Sequence, residues 1–486
     1  MPVPIEIPDA VLSEALSYLR SAAGDAYLVG GAVRDLLLGR TPRDLDVLVT
    51  GDVPGLAQLM EKASRCKAIV LGRGPAVVRL VWAGGAQILD LLELAGTLEQ
   101  DLARRDCTVN AMALRLSAAP SGLTGELHDP LGGMADLRAR RLRMTSEQAL
   151  VEDPVRVLRV FRLAAQLGFR LEGATVAAIE RHAATVVHAA PERVQEELLL
   201  LLDSNPCYEP LCACAQTGVL LNVIPELAAL KEVRQDGFHH LDAFDHSLET
   251  VRAAEDLLLG EAPPLEPQSL AQARAALQRP YLAGASDAAL LKLAALLHDI
   301  GKPPTVTADE RGTHFYRHNV VGEQMASEVA RRLRFSREAE RRLALLVREH
   351  LRPGSLADLQ PRSERAVNRF FRRLGQEAVP ALLLGVADRM AARGPAATAD
   401  WLLRQVEFAN AALAEYFRRA QAPHNPPLLD GHQVMARYHL QPGRLVGRAL
   451  ALLRRAQEEG RLHTREEAEA FLDEQMPRLQ RDIGGR

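Results

Sequence analysis

The chain has 486 residues, 48% hydrophobic and 25% charged, which is enough for several domains with separate cores and excludes a disordered or fibrous chain. No apolar run is long enough to cross a bilayer, and the opening MPVPIEIPDA lacks the pattern of a signal peptide, so a cytoplasmic protein is expected. A net charge of −3 admits nucleic acid as a partner only where basic residues gather locally, as arginine does at 138–144, 331–343 and 365–375, although each cluster alone reads as a solvated helix face. The five cysteines are odd in number and show no paired spacing. Cys207, Cys212 and Cys214 lie among apolar residues and read as packed thiols of a reduced protein.

In chain order, residues 1–140 carry strand-like runs (DAYLVG, LDVLVT, AIVLG, VVRLVW, QILDLLEL) with a few helices, which predicts an α+β head. From about 146 onward apolar residues recur at three- and four-residue spacing, predicting a nearly all-helical remainder. Two loops interrupt it, a Pro-rich insertion at 259–269 and a hinge at 421–431. The expected division is a head at 1–140, a helical neck and body at 141–232, a metal-binding helical domain at 233–400 and a helical tail at 401–486.

The stretch YLVGGAVRDLLLGRTPRDLDVLVTGD (27–52) carries the chemistry. A strand runs into Gly30-Gly31 and a helix starts at once, so the backbone can approach an anion at the helix N-terminus, and a triphosphate fits. Asp44 and Asp46 are two apart beside apolar Leu45, Val47 and Val49, so both carboxylates point to one strand face. Two such groups call for a cation, and hard oxygen ligands suit Mg²⁺, which activates an attacking hydroxyl and neutralises departing pyrophosphate. Asp90 in QILDLLEL is the candidate third carboxylate.

These residues resemble the class II tRNA nucleotidyltransferases and bacterial poly(A) polymerases of the DNA polymerase β superfamily. ARRDCTVNAMAL (103–114), DPLGGMADLRARRLR (129–143), VEDPVRVLRVFRLAAQLGF (151–169) and PERVQEELLLLL (191–202) follow in the family's order. The resemblance implies a multidomain α+β protein: a small mixed-sheet head, then an all-α neck, body, HD domain and tail. It also implies tRNA as partner, CTP and ATP as candidate substrates, and Mg²⁺ in the head. Arg105 and Asp106 are expected at the ribose and phosphates, Asn110 behind the glycine loop, and Arg34 and Arg159 within the same nucleotide site.

Glu152, Asp153 and Arg156 read as neighbours on one helix, with Asp153 and Arg156 sharing a face. A carboxylate only accepts hydrogen bonds and a guanidinium only donates, which matches cytosine and adenine. Uracil and guanine present the reverse edge, and each mispaired buried group costs about 1–3 kcal/mol. Family members that add the whole CCA end carry a flexible Arg- and Tyr-containing loop before the RRD motif. Here that interval is only LLELAGTLEQDLA (91–103), so CC addition is the first expectation, ahead of full CCA addition and of A-addition or polyadenylation.

A second constellation, FHHLDAFDHSLETV (238–251), LAALLHDIGKPP (293–304), HFYRHNVVGEQMA (314–326), VREHLRP (347–353) and GVADRMAARG (385–394), resembles the HD superfamily of metal-dependent phosphohydrolases. It nominates His246, His298, Asp299 and Asp388 as ligands of a divalent metal such as Mn²⁺ or Ni²⁺, with His318 and His350 completing a second position. A competing reading makes this the working enzyme and the head an RNA-binding module. Residues 426–472 resemble the tail module of long bacterial tRNA nucleotidyltransferases and are expected to grip tRNA by shape and backbone.

Overall fold

The computed structural model describes residues 2–484, apart from 8, 43, 72–75, 83–86, 120–121, 236, 261–264, 311, 360–362, 422–426 and 459–460. The chain divides into two compact units, residues 1–414 and 415–486.

The first unit opens with a mixed sheet. Among the described residues its eight strands are β1 (Pro2–Pro4), β2 (Ala26–Val29), β3 (Leu45–Val49), β4 (Lys67–Leu71), β5 (Val77–Val81), β6 (Ile88–Glu93), β7 (Ala113–Ala119) and β8 (Gly122–His128). Their order is β1-β8-β7-β2-β3-β6-β5-β4, and only β3 and β6 pair in parallel. β3 buries Leu45, Val47, Leu48 and Val49 and leaves Asp46 half-covered. Asp44 lies just outside the strand and is exposed, so the two aspartates share a strand end rather than one strand.

The hairpin β7–β8 and the strand β1 escaped the sequence reading. Alanine, serine and glycine, which have little intrinsic preference for strand, fill six of the fourteen positions of β7 and β8, so pairing of β7 with β2 and of β8 with β7 decides their state.

The segment DPLGGMADLRARRLR has a structural duty. Asp136, fully buried, accepts bonds from Thr108 Oγ1 (2.6 Å), Arg141 Nε (2.8 Å) and Arg143 Nε (2.9 Å). Gly133 packs so closely that a Cβ there would run into the Thr108 carbonyl. This ties the turn Thr108–Asn110 to the strand Arg141–Leu142 at the head's exit.

Beyond the head, Arg156–Leu167 buries Val157, Val160, Phe161 and Ala164 at helical spacing and packs on Pro191–Asp203. The single helix expected through 152–156 is broken. Gln148–Glu152 ends at Asp153, whose backbone is extended, and a new helix begins at Arg156. Pro154 is the reason, because it disfavours helical geometry in the residue before it.

The remainder is less purely helical than its periodicity predicts. Arg141–Leu142 pairs with Arg170–Leu171, Pro280–Leu282 with Ala285–Ser286, and Val306–Asp309 with Gly312–Phe315. These ladders are two to four residues long, too short to leave a period-two signal. The expected loop at 259–269 includes residues 261–264, outside the described residues, but its end is the first turn of the helix Pro267–Ala276, where a leading proline is tolerated.

Around this lies the HD region. Asp287–Leu297 is buried on all sides, between Ala243–Leu259, Pro191–Asp203 and Ala378–Ala391. Its Lys292, wholly buried, is satisfied by donating to Ser204 O (2.7 Å) and Asn205 Oδ1 (2.6 Å). All five cysteines are free; Cys207 and Cys214 are buried and Cys212 is half-buried, as packed thiols should be.

The second unit has its own core, Leu429, Val434, Leu453, Ala468 and Leu472, gathered by the helices Gly431–Tyr438, Arg444–Glu458 and Arg465–Gly484. Of the hinge predicted at 421–431, residues 422–426 lie outside the described residues. No described helix is long and apolar enough to cross a membrane.

Asp136→Ala would strand two arginines and a buried hydroxyl. We expect it to cost about 3 kcal/mol in urea denaturation, with the loss seen in the head.

Candidate active sites

Between the head and the helix Arg156–Leu167 lies a cleft of about 1060 Å³, at the upper end of small-molecule sites and roomy enough for a nucleoside triphosphate. Gly30, Gly31, Arg34, Asp44, Asp46, Arg105, Asp106, Asn110, Glu152, Arg156 and Arg159 all line it. Gly30 has φ +73°, which glycine adopts without strain, and a Cβ there would press on Arg105 Nη1 at 2.9 Å. The helix Gly31–Leu37 therefore starts directly above Asp46.

Asn110 joins two parts of the cleft. Its Oδ1 accepts from Arg34 Nη1 (2.7 Å), and its Nδ2 donates to Asp106 Oδ1 (2.9 Å). Arg105 is oriented by Asp101 at 3.0 Å, and Arg159 by Glu197 at 2.6 Å. Arg156 Nη1 donates to the carbonyls of Arg104 (2.7 Å) and Ala149 (3.0 Å).

Two expected residues stand apart from the cleft lining. Asp90 lies opposite Asp46 across the parallel β3–β6 pair, but its carboxylate is gripped by Arg79 through Nε (2.9 Å) and Nη2 (2.8 Å). Asp153 is held by Arg193 through both guanidinium nitrogens (2.8 and 2.7 Å), with Arg156 Nε at 3.6 Å. Burial works to raise the Asp153 carboxyl, but the Arg193 bonds and the charges of Arg193 and Arg156 outweigh it and hold it below the usual range.

Sequence reasoning missed Arg79 and Arg193 as partners. Arg193 sits inside the recognised PERVQEELLLLL motif, whereas Arg79 could be found only from strand register.

Burial pushes the Asp46 carboxyl up to about 6; Asp90 and Asp44 add to the rise, and Arg105 and Arg79 oppose it. Burial thus works against an ionised Asp46, and a cation beside it and the exposed Asp44 would favour the ionised form.

The second site gathers all six expected residues of the HD constellation. His246 Nε2 lies 3.0 Å from Asp388 Oδ1, and His298 Nε2 is 3.1 Å from Asp299 Oδ2. Asp299 Oδ1 faces His318 Nε2 (3.5 Å) and His350 Nε2 (3.9 Å). His246, His298 and Asp299 form one potential ion-binding group, and Asp299, His318 and His350 a second, so Asp299 is common to both.

His318 and His350 direct Nδ1 at the carbonyls of Phe315 (2.8 Å) and Val347 (2.7 Å), so those nitrogens carry the protons. Their Nε2 lone pairs then confront each other at 3.2 Å. Burial lowers both imidazoles, His350 to about 3, and His246 to about 4, so protonation does not relieve the conflict near neutral pH. A shared divalent cation would. His239 and Lys302 also belong to this site and were not singled out from sequence: His239 groups with His246 and Asp388, and Lys302 Nζ pairs with Asp299 Oδ2 at 2.6 Å.

The family model of the Poly A polymerase head domain matches residues 26–91 and 85–143. That of the probable RNA- and SrmB-binding site of polymerase A matches 168–231, and that of the HD domain matches 243–393. The chain is 39% identical to the CC-adding tRNA nucleotidyltransferase of Thermus thermophilus, over 92% of this chain and 93% of that protein. It is 36% identical to the A-adding tRNA nucleotidyltransferase of Deinococcus radiodurans, over 92% and 94%. Among solved structures, a CCA-adding enzyme in apo form I superposes with a TM-score of 0.59 at 18% identity, covering 94% of this chain and 92% of that one, a likeness of fold.

Because Asp46 holds its proton more tightly folded than unfolded, stability falls as pH rises from 3.8 through about 6. In chelator, Asp46→Asn is expected to gain about 2 kcal/mol over the parent at pH 8, with the gain vanishing below about pH 4. Thermal melts at both pH values measure it.

Proposed function

The chain belongs to the tRNA nucleotidyltransferase family, and within it we propose that this head adds cytidines from CTP to the 3′ end of tRNA and stops at CC. The observation that carries the reading is the short connection between the strand of the third carboxylate and the RRD motif. β6 ends at Glu93, and after four intervening residues the helix Leu98–Ala103 begins behind a capping box of Thr97 and Gln100. Such a closed connection leaves no chain to reshape the pocket from cytosine to adenine. The CC-adding relative from Thermus thermophilus supports the same choice, and the A-adding relative keeps A-addition and full CCA addition as the alternatives to be measured.

In this reading Gly30, Gly31 and the N-terminus of Gly31–Leu37 receive the triphosphate, with Arg34 and Arg105 meeting its charge. Mg²⁺ held by Asp44 and Asp46 would supply charge neutralisation and acidify the attacking 3′ hydroxyl. Asp90, neutralised by Arg79, positions Asp46 from the adjacent strand. Arg156 donates to the base, and Asp153 accepts with the lone pairs that Arg193 leaves open. Arg193 keeps Asp153 ionised, which a protonated, donating carboxyl would defeat.

Primer extension of a tRNA transcript ending at the discriminator base, with CTP alone, ATP alone and both, sizes the product directly. Two added cytidines and no adenosine are expected; a three-nucleotide product with both substrates overturns the reading. Asp44→Ala should reduce incorporation by at least 1000-fold, an order-of-magnitude expectation for losing charge stabilisation of the transition state, while tRNA binding persists.

The facing imidazoles of His318 and His350 favour a second activity, metal-dependent hydrolysis of phosphate or 2′,3′-cyclic phosphate at tRNA ends. A divalent ion such as Mn²⁺ or Ni²⁺ there would neutralise phosphate charge and acidify water. His350→Ala should lower both bound metal and hydrolysis of a nucleoside 2′,3′-cyclic phosphate. No turnover by a parent protein of verified metal content would refute this activity.

A further inference from the structure

Nucleotidyl transfer joins two substrates, and the groups from Gly30 to Arg156 serve only the triphosphate. We infer that the far end of the same cleft, at Arg162, Gln166 and Asn205, seats the other, the terminal nucleotide of the tRNA acceptor strand. The inference rests on the reading of the head as a tRNA nucleotidyltransferase. The cleft follows one face of the helix Arg156–Leu167, which lines it with Arg156, Arg159, Leu163 and Gln166. At 1.5 Å per residue, Arg156 and Gln166 stand about 15 Å apart along the axis. The helix Pro191–Asp203 runs beside it in the same direction: Arg193 meets Asp153, and Glu197 meets Arg159 and Arg162. Leu200, Ser204 and Asn205 follow, and they line the cleft too.

What this far end offers is hydrogen-bond donors. Lys292 Nζ donates to Asn205 Oδ1 at 2.6 Å, and Arg162 Nη1 donates to Gln166 Oε1 at 3.0 Å. Ammonium and guanidinium groups only donate, so each fixes its amide with the oxygen toward it and the NH2 turned away. Asn205 and Gln166 are exposed, and neither Asn205 Nδ2 nor Gln166 Nε2 has a partner among the described residues. Arg162 shares Glu197 with Arg159, each Nε lying 2.6 Å from that carboxylate, so its charge is only partly neutralised.

Two fixed amide donors and a guanidinium suit a ligand rich in acceptors, as phosphate oxygens, a ribose 2′ hydroxyl and a base carbonyl are. Leu163, Leu167 and Leu200 line the same stretch and give sugar and base an apolar wall.

The test removes each donor without disturbing what holds it. Asn205→Asp keeps an oxygen for Lys292, and Gln166→Glu keeps one for Arg162, but each presents the ligand with an acceptor. Incorporation from CTP is measured on a short RNA hairpin that copies the acceptor stem and ends at the discriminator base. Each variant should raise KM for the hairpin about tenfold, the loss of one charge-assisted hydrogen bond, and leave KM for CTP unchanged. Asn205→Ala, which adds no charge, should show the same split between the two KM values.

An unchanged hairpin KM, or a CTP KM that rises as much, overturns the seat. A rise confined to the acidic variants shows repulsion instead and overturns it as well. So does a loss seen with full-length tRNA but not with the hairpin, which places the contact away from the 3′ end. Should the parent extend neither RNA, the nucleotidyltransferase reading fails separately, and filter binding of the hairpin decides the seat. About tenfold weaker binding in all three variants supports it, and equal affinities overturn it.

Discussion

The parallel pairing of β3 with β6 sets Asp46 directly opposite Asp90, and Asp44 adds a third carboxylate at the same strand end. Like charges this close in a half-buried place cannot all remain ionised without compensation. Arg79, next in register on β5, neutralises Asp90, and Arg105 leans in beneath Gly30. Burial, more than the charge of its neighbours, raises the Asp46 carboxyl. Much of the head can be understood as scaffolding for this row of charges: the sheet order fixes it, Gly30 lets the next helix start above it, and Asp136 locks the turn that carries Asn110.

The same physics recurs in the HD site with imidazoles in place of carboxylates. There the backbone carbonyls of Phe315 and Val347 commit both Nδ1 atoms as donors, and the Nε2 lone pairs are pushed together. In both sites a divalent cation would favour the ligand state that burial opposes or that facing lone pairs disfavour. The buried helix Asp287–Leu297 joins them: it delivers His298 and Asp299 at its end, while its Lys292 secures Ser204 and Asn205 at the wall of the nucleotide cleft.

The proposed base-reading pair, Asp153 and Arg156, sits at a broken helix. Had 148–167 been continuous, Asp153 would project from a helix surface. The break at Pro154 turns its backbone extended and brings its carboxylate to Arg193 of the next motif. Two motifs far apart in the chain are therefore joined at Asp153, which meets Arg193 from one and Arg156 from the other.

The sequence by itself determined the family, the α+β head and the candidate residues of both sites, because metal and phosphate chemistry demands particular residue types in local runs such as GGAVRD, D-x-D and HD. Short-range geometry sufficed there, since neighbours along a strand or helix end stay neighbours in space. Which carboxylates are free and which are clamped was decided only by tertiary structure. Arg79 meets Asp90 through strand register, Arg193 meets Asp153 across 40 positions, and β7 and β8 are strands because β7 pairs with β2 and β8 with β7. Nothing in local composition encodes such pairings; they arise when the folded chain brings distant charges and backbone edges within bonding distance, where burial makes each unpaired group costly.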